Sequence, residues 1–220
     1  MIEPLALIDQ LASRATPVRP LASPLKRAAL WSLAAIALIA LVTASYGLRP
    51  GVLAELSAAP KALEWLASVL TGLLAAYAAF QVSVPGRSRS WAWLPVLPML
   101  LWLGGFCWGC LRDFATLGDT AFAYQSGSWE CARAITAISL PLGFLLLMMV
   151  RHAGVVRPGP TALLAALSAA ALSAAGVSLF HDGENTLMVL LWHLGAVVVL
   201  SLACWAGGQR LFAWIGHARN

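Results

Sequence analysis

Six long apolar runs constrain this chain more than any other feature of it. They cover residues 28–48, 62–84, 91–109, 132–150, 161–180 and 187–207. Each is close to the roughly 20 residues that a helix needs to cross a bilayer. The predicted fold is an all-α membrane protein, a six-transmembrane-helix bundle. Composition agrees: 10% of the residues are charged, where a soluble domain carries about 25%. The longest stretch outside the runs is residues 1–27, which leaves no room for a separate globular domain. The expected organisation is an N-terminal segment with a Pro-rich tether over 1–27, a membrane domain over 28–207 and a tail over 208–220. Pro4, Asp9, Arg14, Pro17 and Pro20 break up the N-terminus before any apolar core, unlike a signal peptide, so the first run reads as an uncleaved helix.

The charges are sorted between the gaps. Ten of the 14 basic residues (Arg14, Arg19, Lys26, Arg27, Arg87, Arg89, Arg151, Arg157, Arg210 and Arg219) fall in the N-terminal segment, the gaps after runs two and four, and the tail. The other four, Arg49, Lys61, Arg112 and Arg133, share the opposite side with seven of the nine acids. The positive-inside rule then places both termini in the cytoplasm and three loops outside. The net charge of +5 reflects this asymmetry rather than a nucleic-acid footprint, and no direct nucleic-acid contact is expected.

Ahead of the first run, Leu5, Ile8, Leu11, Ala12 and Ala15 recur at three- and four-residue spacing, with Asp9, Gln10 and Arg14 elsewhere on the surface. That pattern predicts a short amphipathic helix. About three turns of helix are marginal alone in water, so this one needs a lipid or protein surface. Pro17-Val18-Arg19-Pro20 and Ser23-Pro24 end it and favour an extended tether. Run five, rich in Ala, Ser and Gly, permits close helix approach and is expected at the centre of the bundle.

The residues able to do chemistry gather at the outer ends of runs three to six: Cys107 and Cys110, Glu130 and Cys131, His181 and Asp182, then Met188 and His193. Two chemistries fit. Thiolates with imidazole or thioether neighbours suit soft metals, which gives Cys110, Cys131, His181 and His193 as a candidate metal set. Alternatively Cys110 and Cys131 close a disulfide or pass through a sulfenic acid. Against both stands the common role of a cysteine in an apolar helix as a small packed hydrophobe. Cys107 and Cys110 share a helical face at i and i+3, but a lone CxxC in a membrane helix carries little weight. His193, an ionisable residue inside a run, is a functional candidate by its position, with Glu130 or Asp182 as candidate partners.

No Asp or Glu lies in the middle of a run, where an ion-coupled transporter places one. There is no P-loop, HExxH, GxSxG or paired-carboxylate pattern. The chain therefore reads as a non-enzyme. A small metal-handling transporter using His181, Met188 and His193 with the cysteines is the alternative function. A structural membrane subunit with residues 1–16 on the lipid surface is a third.

Several segments stand in a fixed order: Leu7-Ile8-Asp9 with Leu11, Pro17-Val18-Arg19, Val84-Pro85-Gly86-Arg87-Ser88, Trp108-Gly109-Cys110 followed by Cys131, and Phe180-His181 leading to Asn185-Thr186-Leu187-Met188-Val189-Leu190-Leu191-Trp192-His193-Leu194-Gly195. Together they resemble the NrsF-type anti-sigma factors, negative regulators of sigma F. The resemblance runs over essentially the whole chain. It implies a multi-pass protein of the bacterial inner membrane that sequesters an extracytoplasmic-function sigma factor and releases it under metal or oxidative stress. It maps the family's sensing cysteines onto Cys110 and Cys131, and sigma docking onto the segment with Leu5, Ile8, Asp9, Leu11 and Val18. Cys107 is an addition to the usual pattern. The resemblance names no definite cofactor; a soft metal ion, copper, zinc or cadmium, is a candidate signal.

Overall fold

A computed structural model describes residues 4–14, 20–122, 129–153, 155–181 and 186–215. Val18 and its neighbours in the tether, Asp182, His217 and Arg219 lie outside these residues. Helix α1 is Pro4–Arg14. The helices that follow are α2 (Pro24–Tyr46), α3 (Val52–Ser57), α4 (Ala59–Val82), α5 (Val96–Leu117), α6 (Trp129–Val150), α7 (Pro158–Val177), α8 (Thr186–Val189) and α9 (Gly195–Trp214). A π turn over Leu190–Leu194 joins α8 to α9. No strand occurs among the described residues.

Six helical segments are long and apolar enough to cross a membrane: Pro24–Tyr46, Ala59–Val82, Arg89–Ala121, Trp129–Ala153, Pro158–Val177 and Leu190–Trp214. They coincide with the six runs, with shifted ends. Ser23 caps α2 by accepting from the Lys26 amide, and Pro24 follows at the first turn, where its missing N–H costs nothing. The third span begins as a 3₁₀ turn at Arg89–Trp93, because Pro95 cannot continue an α-helix from that side. It then runs past the apolar stretch to Leu117, carrying Arg112 and Asp113 on its last two turns. The last span continues to Trp214, into the stretch that the sequence reads as a tail.

With six spans, the start of the first and the end of the last fall at one end of the bundle, called here the terminal face; the opposite face is distal. Helix α7 is the axis of the bundle. Every residue from Leu164 to Val177 is buried, and α7 packs against α9, α4, α6 and α2. Its small side chains explain this, and the expectation of a central fifth run is met. The Ser168 hydroxyl donates to the Gly72 carbonyl at 2.6 Å, and the Ser68 hydroxyl of α4 to Ala171 at 3.0 Å. Trp31 of α2 donates through its indole N–H to the Leu142 carbonyl of α6 at 3.0 Å. Such interhelical bonds average about 0.6 kcal/mol each in membranes. Near the terminal face, Arg27 lays its guanidinium over the Phe80 ring at 5.0 Å and donates to the Met149 carbonyl at 3.4 Å, tying α2 to α4 and α6.

The α4–α7 contact has no room for a side chain at Gly72. A Cβ there would stand 2.6 Å from Leu172 Cγ and 3.1 Å from the Ser168 carbonyl oxygen. Gly72→Val is expected to lower stability by about 1–3 kcal/mol, the usual range for overpacking. At Gly104 an added Cβ meets nothing within 4 Å, and Gly104→Val is expected to stay within about 0.5 kcal/mol. Thermal unfolding of the two variants in one detergent checks the difference.

Candidate functional site at the distal face

The α2–α3 connection is fastened to the end of α7. The Arg49 amide donates to the Leu179 carbonyl at 3.0 Å, and Arg49 Nε donates to the Ser178 carbonyl at 3.0 Å. The same guanidinium forks onto the Glu55 carboxylate, with Nη1 to Oε1 at 2.8 Å and Nη2 to Oε2. These hydrogen bonds hold the Glu55 carboxyl below its ordinary value. One turn into α4, Lys61 pairs with Glu64 at 3.2 Å. Glu64 lies against α5 at Gly105, where a Cβ would come within 3.0 Å of its Cγ. The absent side chain of Gly105 is what admits this carboxylate between the two helices.

Beneath this ring of charge opens a chamber of about 560 Å³ between α4, α5, α7 and the start of the last span. Its rim holds Arg49, Glu55, Lys61, Glu64, Arg112 and Asp113, three cations and three carboxylates. Its walls are aromatic: Trp65, Trp102 and Phe106. Trp102 and Phe106 pack with ring centroids 5.8 Å apart, and the Trp65 N–H is taken by the Ala175 carbonyl at 3.0 Å. Cys131, His181 and His193 complete the lining.

His193 is 5% exposed. It sits in the π turn, an irregularity that turns up often at functional sites because the extra residue re-aims side chains. Cys131, in the first turn of α6, is 2% exposed and reaches the chamber from the other side.

The sequence-derived candidates are therefore partly gathered. Cys131, His181 and His193 share the chamber; Cys110 does not line it. Cys110 is half-buried on α5, with Asp113, Cys107 and Glu64 as its electrostatic neighbours, and Cys107 is exposed. Among the described residues no three His, Cys, Asp or Glu side chains are grouped to hold a metal ion. Cys204, half-buried on α9, is remote from the others in sequence and lies towards the terminal face.

At the other end of the chain, α1 buries none of its residues: Leu5, Ile8 and Leu11 are 73%, 59% and 62% exposed, and Asp9 is exposed too. Sequence reasoning missed the tryptophan and phenylalanine walls, the Arg49 clamp and the π turn. The signal for the walls was present: Trp65 follows Glu64 near the distal start of span two, and Trp102 and Phe106 lie near the middle of span three.

These features define a class: a polytopic α-helical membrane protein with a charged, thiol- and imidazole-lined chamber at one face and an unpacked helix before its first span. The chain belongs to the NrsF family, negative regulator of sigma F, whose family model matches residues 11–214. No curated protein and no solved structure matches it. Membership makes the chain a negative regulator with a sigma factor as its partner. The same assignment points to regulation rather than catalysis.

Proposed function

We propose that the chain is an anti-sigma factor of the bacterial inner membrane, holding an extracytoplasmic-function sigma factor at its cytoplasmic face and releasing it on metal or oxidative stress. The observation that carries this reading is α1: an 11-residue helix with its leucines and isoleucine unburied, in a chain whose family regulates a sigma factor. Leu5, Ile8 and Leu11 enter an apolar groove on the sigma factor, the usual mode for a short helix. Asp9 and Val18 flank that contact. The basic residues of the terminal face put it in the cytoplasm, so the chamber opens to the periplasm, where thiols meet oxidants.

The signal acts on Cys110 and Cys131, either by soft-metal ligation or by oxidation. With a peroxide, two thiols lose two protons and two electrons to form one disulfide, and the peroxide is reduced to two waters. In the chamber, Cys131 with His181 and His193 would supply thiolate and imidazole to a soft metal, and Cys110, outside the lining, would have to move to join them. Packing suggests how the signal travels. Helix α8 packs on α5 and the π turn packs on α6, so the distal start of the last span stands between the helices that carry the two cysteines. Drawing Cys110 and Cys131 together displaces that segment, and α9 continues it to Trp214 on the terminal face. The displaced state binds sigma less well; a signal works only through such a difference.

Co-purification of the tagged chain from unstressed host membranes, with and without residues 1–20, tests the reading. A sigma factor is expected with the full chain and lost on truncation. Recovery of no sigma factor with the full chain overturns the reading, and its recovery with both forms overturns the assignment to α1.

A further inference from the structure

On the side of the bundle, in the distal half, α2 and α6 part and leave a second cavity of about 560 Å³. One wall is Leu38 and Val42, a helical turn apart on α2. The other is Ala134, Ala137, Ile138 and Pro141 on α6. Tyr46 stacked on Phe180, centroids 5.1 Å apart and planes at 17°, closes the top. The volume falls within the roughly 300–1,000 Å³ of small-molecule sites. Both helices are membrane spans, so the apolar groove lies within the hydrocarbon layer, where water has no hydrogen-bond partners and only hydrocarbon gains contacts.

The mouth differs from the walls. Glu130 and Arg133 line it, 3.6 Å apart, with their side chains 51% and 62% exposed. Arg133 lies over the Trp129 ring at 4.8 Å, and tryptophan favours the depth of the lipid headgroups. A guanidinium there offers forked donors to a phosphate diester. The carboxylate one turn away accepts from an ammonium. Together they complement a headgroup that carries both charges.

We infer that this groove is a phospholipid site, taking one acyl chain between α2 and α6 and a zwitterionic phosphoethanolamine headgroup at Glu130 and Arg133. The inference does not depend on the sigma-factor reading. Its consequence touches the chamber, however, because His181 lines both cavities. A lipid seated in the groove lies against the far side of the chamber wall.

The test is native mass spectrometry of the full chain, delipidated in detergent and then exposed to equal phosphatidylethanolamine and phosphatidylglycerol. The wild type is expected to retain one phosphatidylethanolamine. Ala137→Phe fills the groove and is expected to lower retention at least tenfold. Leu140→Phe, on the same helix but outside the groove and 61% exposed, is expected to leave it unchanged. Glu130→Lys is expected to switch the retained lipid to phosphatidylglycerol. A wild type that keeps no lipid, or equal retention by the two phenylalanine variants, overturns the site. Unchanged lipid choice in Glu130→Lys overturns the headgroup assignment.

Discussion

Leu5→Asp with Ile8→Asp is expected to abolish sigma capture while leaving the membrane bundle intact. Each side chain contributes about 1.5–3 kcal/mol when fully buried in a partner's groove. Losing both removes about 3–6 kcal/mol, or roughly 10²–10⁴-fold in affinity. The new carboxylates add a desolvation penalty in the same direction. Neither residue is buried in the bundle, so the unfolding temperature of the double variant should match wild type. In cells the expected readout is constitutive expression of the sigma-dependent genes without any stress. Asp9→Asn and Val18→Ala should weaken capture by less. Normal repression by the double aspartate variant would remove α1 as the docking element.

Cys110→Ser with Cys131→Ser is expected to do the opposite: repression stays and the response to metal and oxidant disappears. Even a tenfold release needs only about 1.4 kcal/mol of coupling, so losing one thiol is enough to silence it. The single variants should be as unresponsive as the double, because neither ligation between the pair nor a disulfide survives with one sulfur. Cys131 is a core residue at 2% exposure, and its serine variant puts a hydroxyl there. Cys131→Ala is therefore the companion that separates lost chemistry from disturbed packing. Cys107→Ser should keep the response, since Cys107 is exposed on α5. An unchanged stress response in the double variant would eliminate the thiol sensor without touching the docking of sigma, because the two depend on opposite ends of the molecule.

The membrane spans were legible because each is a continuous apolar run, and length alone decides whether such a run crosses a bilayer. The central place of α7 was legible from its Ala, Ser and Gly content. The chamber was only half legible. Acids, cysteines and histidines at the ends of spans three to six could be assigned to one face by counting crossings. Which of them meet depends on the order of helices around α7, and no pattern within a single span encodes that order. Hence Cys131, His181 and His193 came together, whereas Cys110 lies on the wall of α5 outside the lining. The π turn at Leu190–Leu194 left no mark in the apolar pattern, because one extra residue per turn changes the facing of side chains but not their hydrophobicity. The Arg49 clamp was hidden for a different reason: an arginine and a glutamate six residues apart between two apolar runs look like ordinary surface charge until the backbone folds them onto the end of α7.

The burial of α7 also has a consequence for biogenesis. Its partners α2, α4 and α6 are made before it and α9 after it, so its small-residue surface is fully covered only when the last span leaves the ribosome. Helix α1 is made first and buries none of its residues. From Arg14 to Trp214 the ribosome adds 200 residues, or roughly 10–40 s of synthesis at about 5–20 residues per second. On the proposed reading, α1 then exists on a nascent chain whose distal chamber is unfinished, and a sigma factor captured in that interval would be held by a molecule that cannot yet respond to stress.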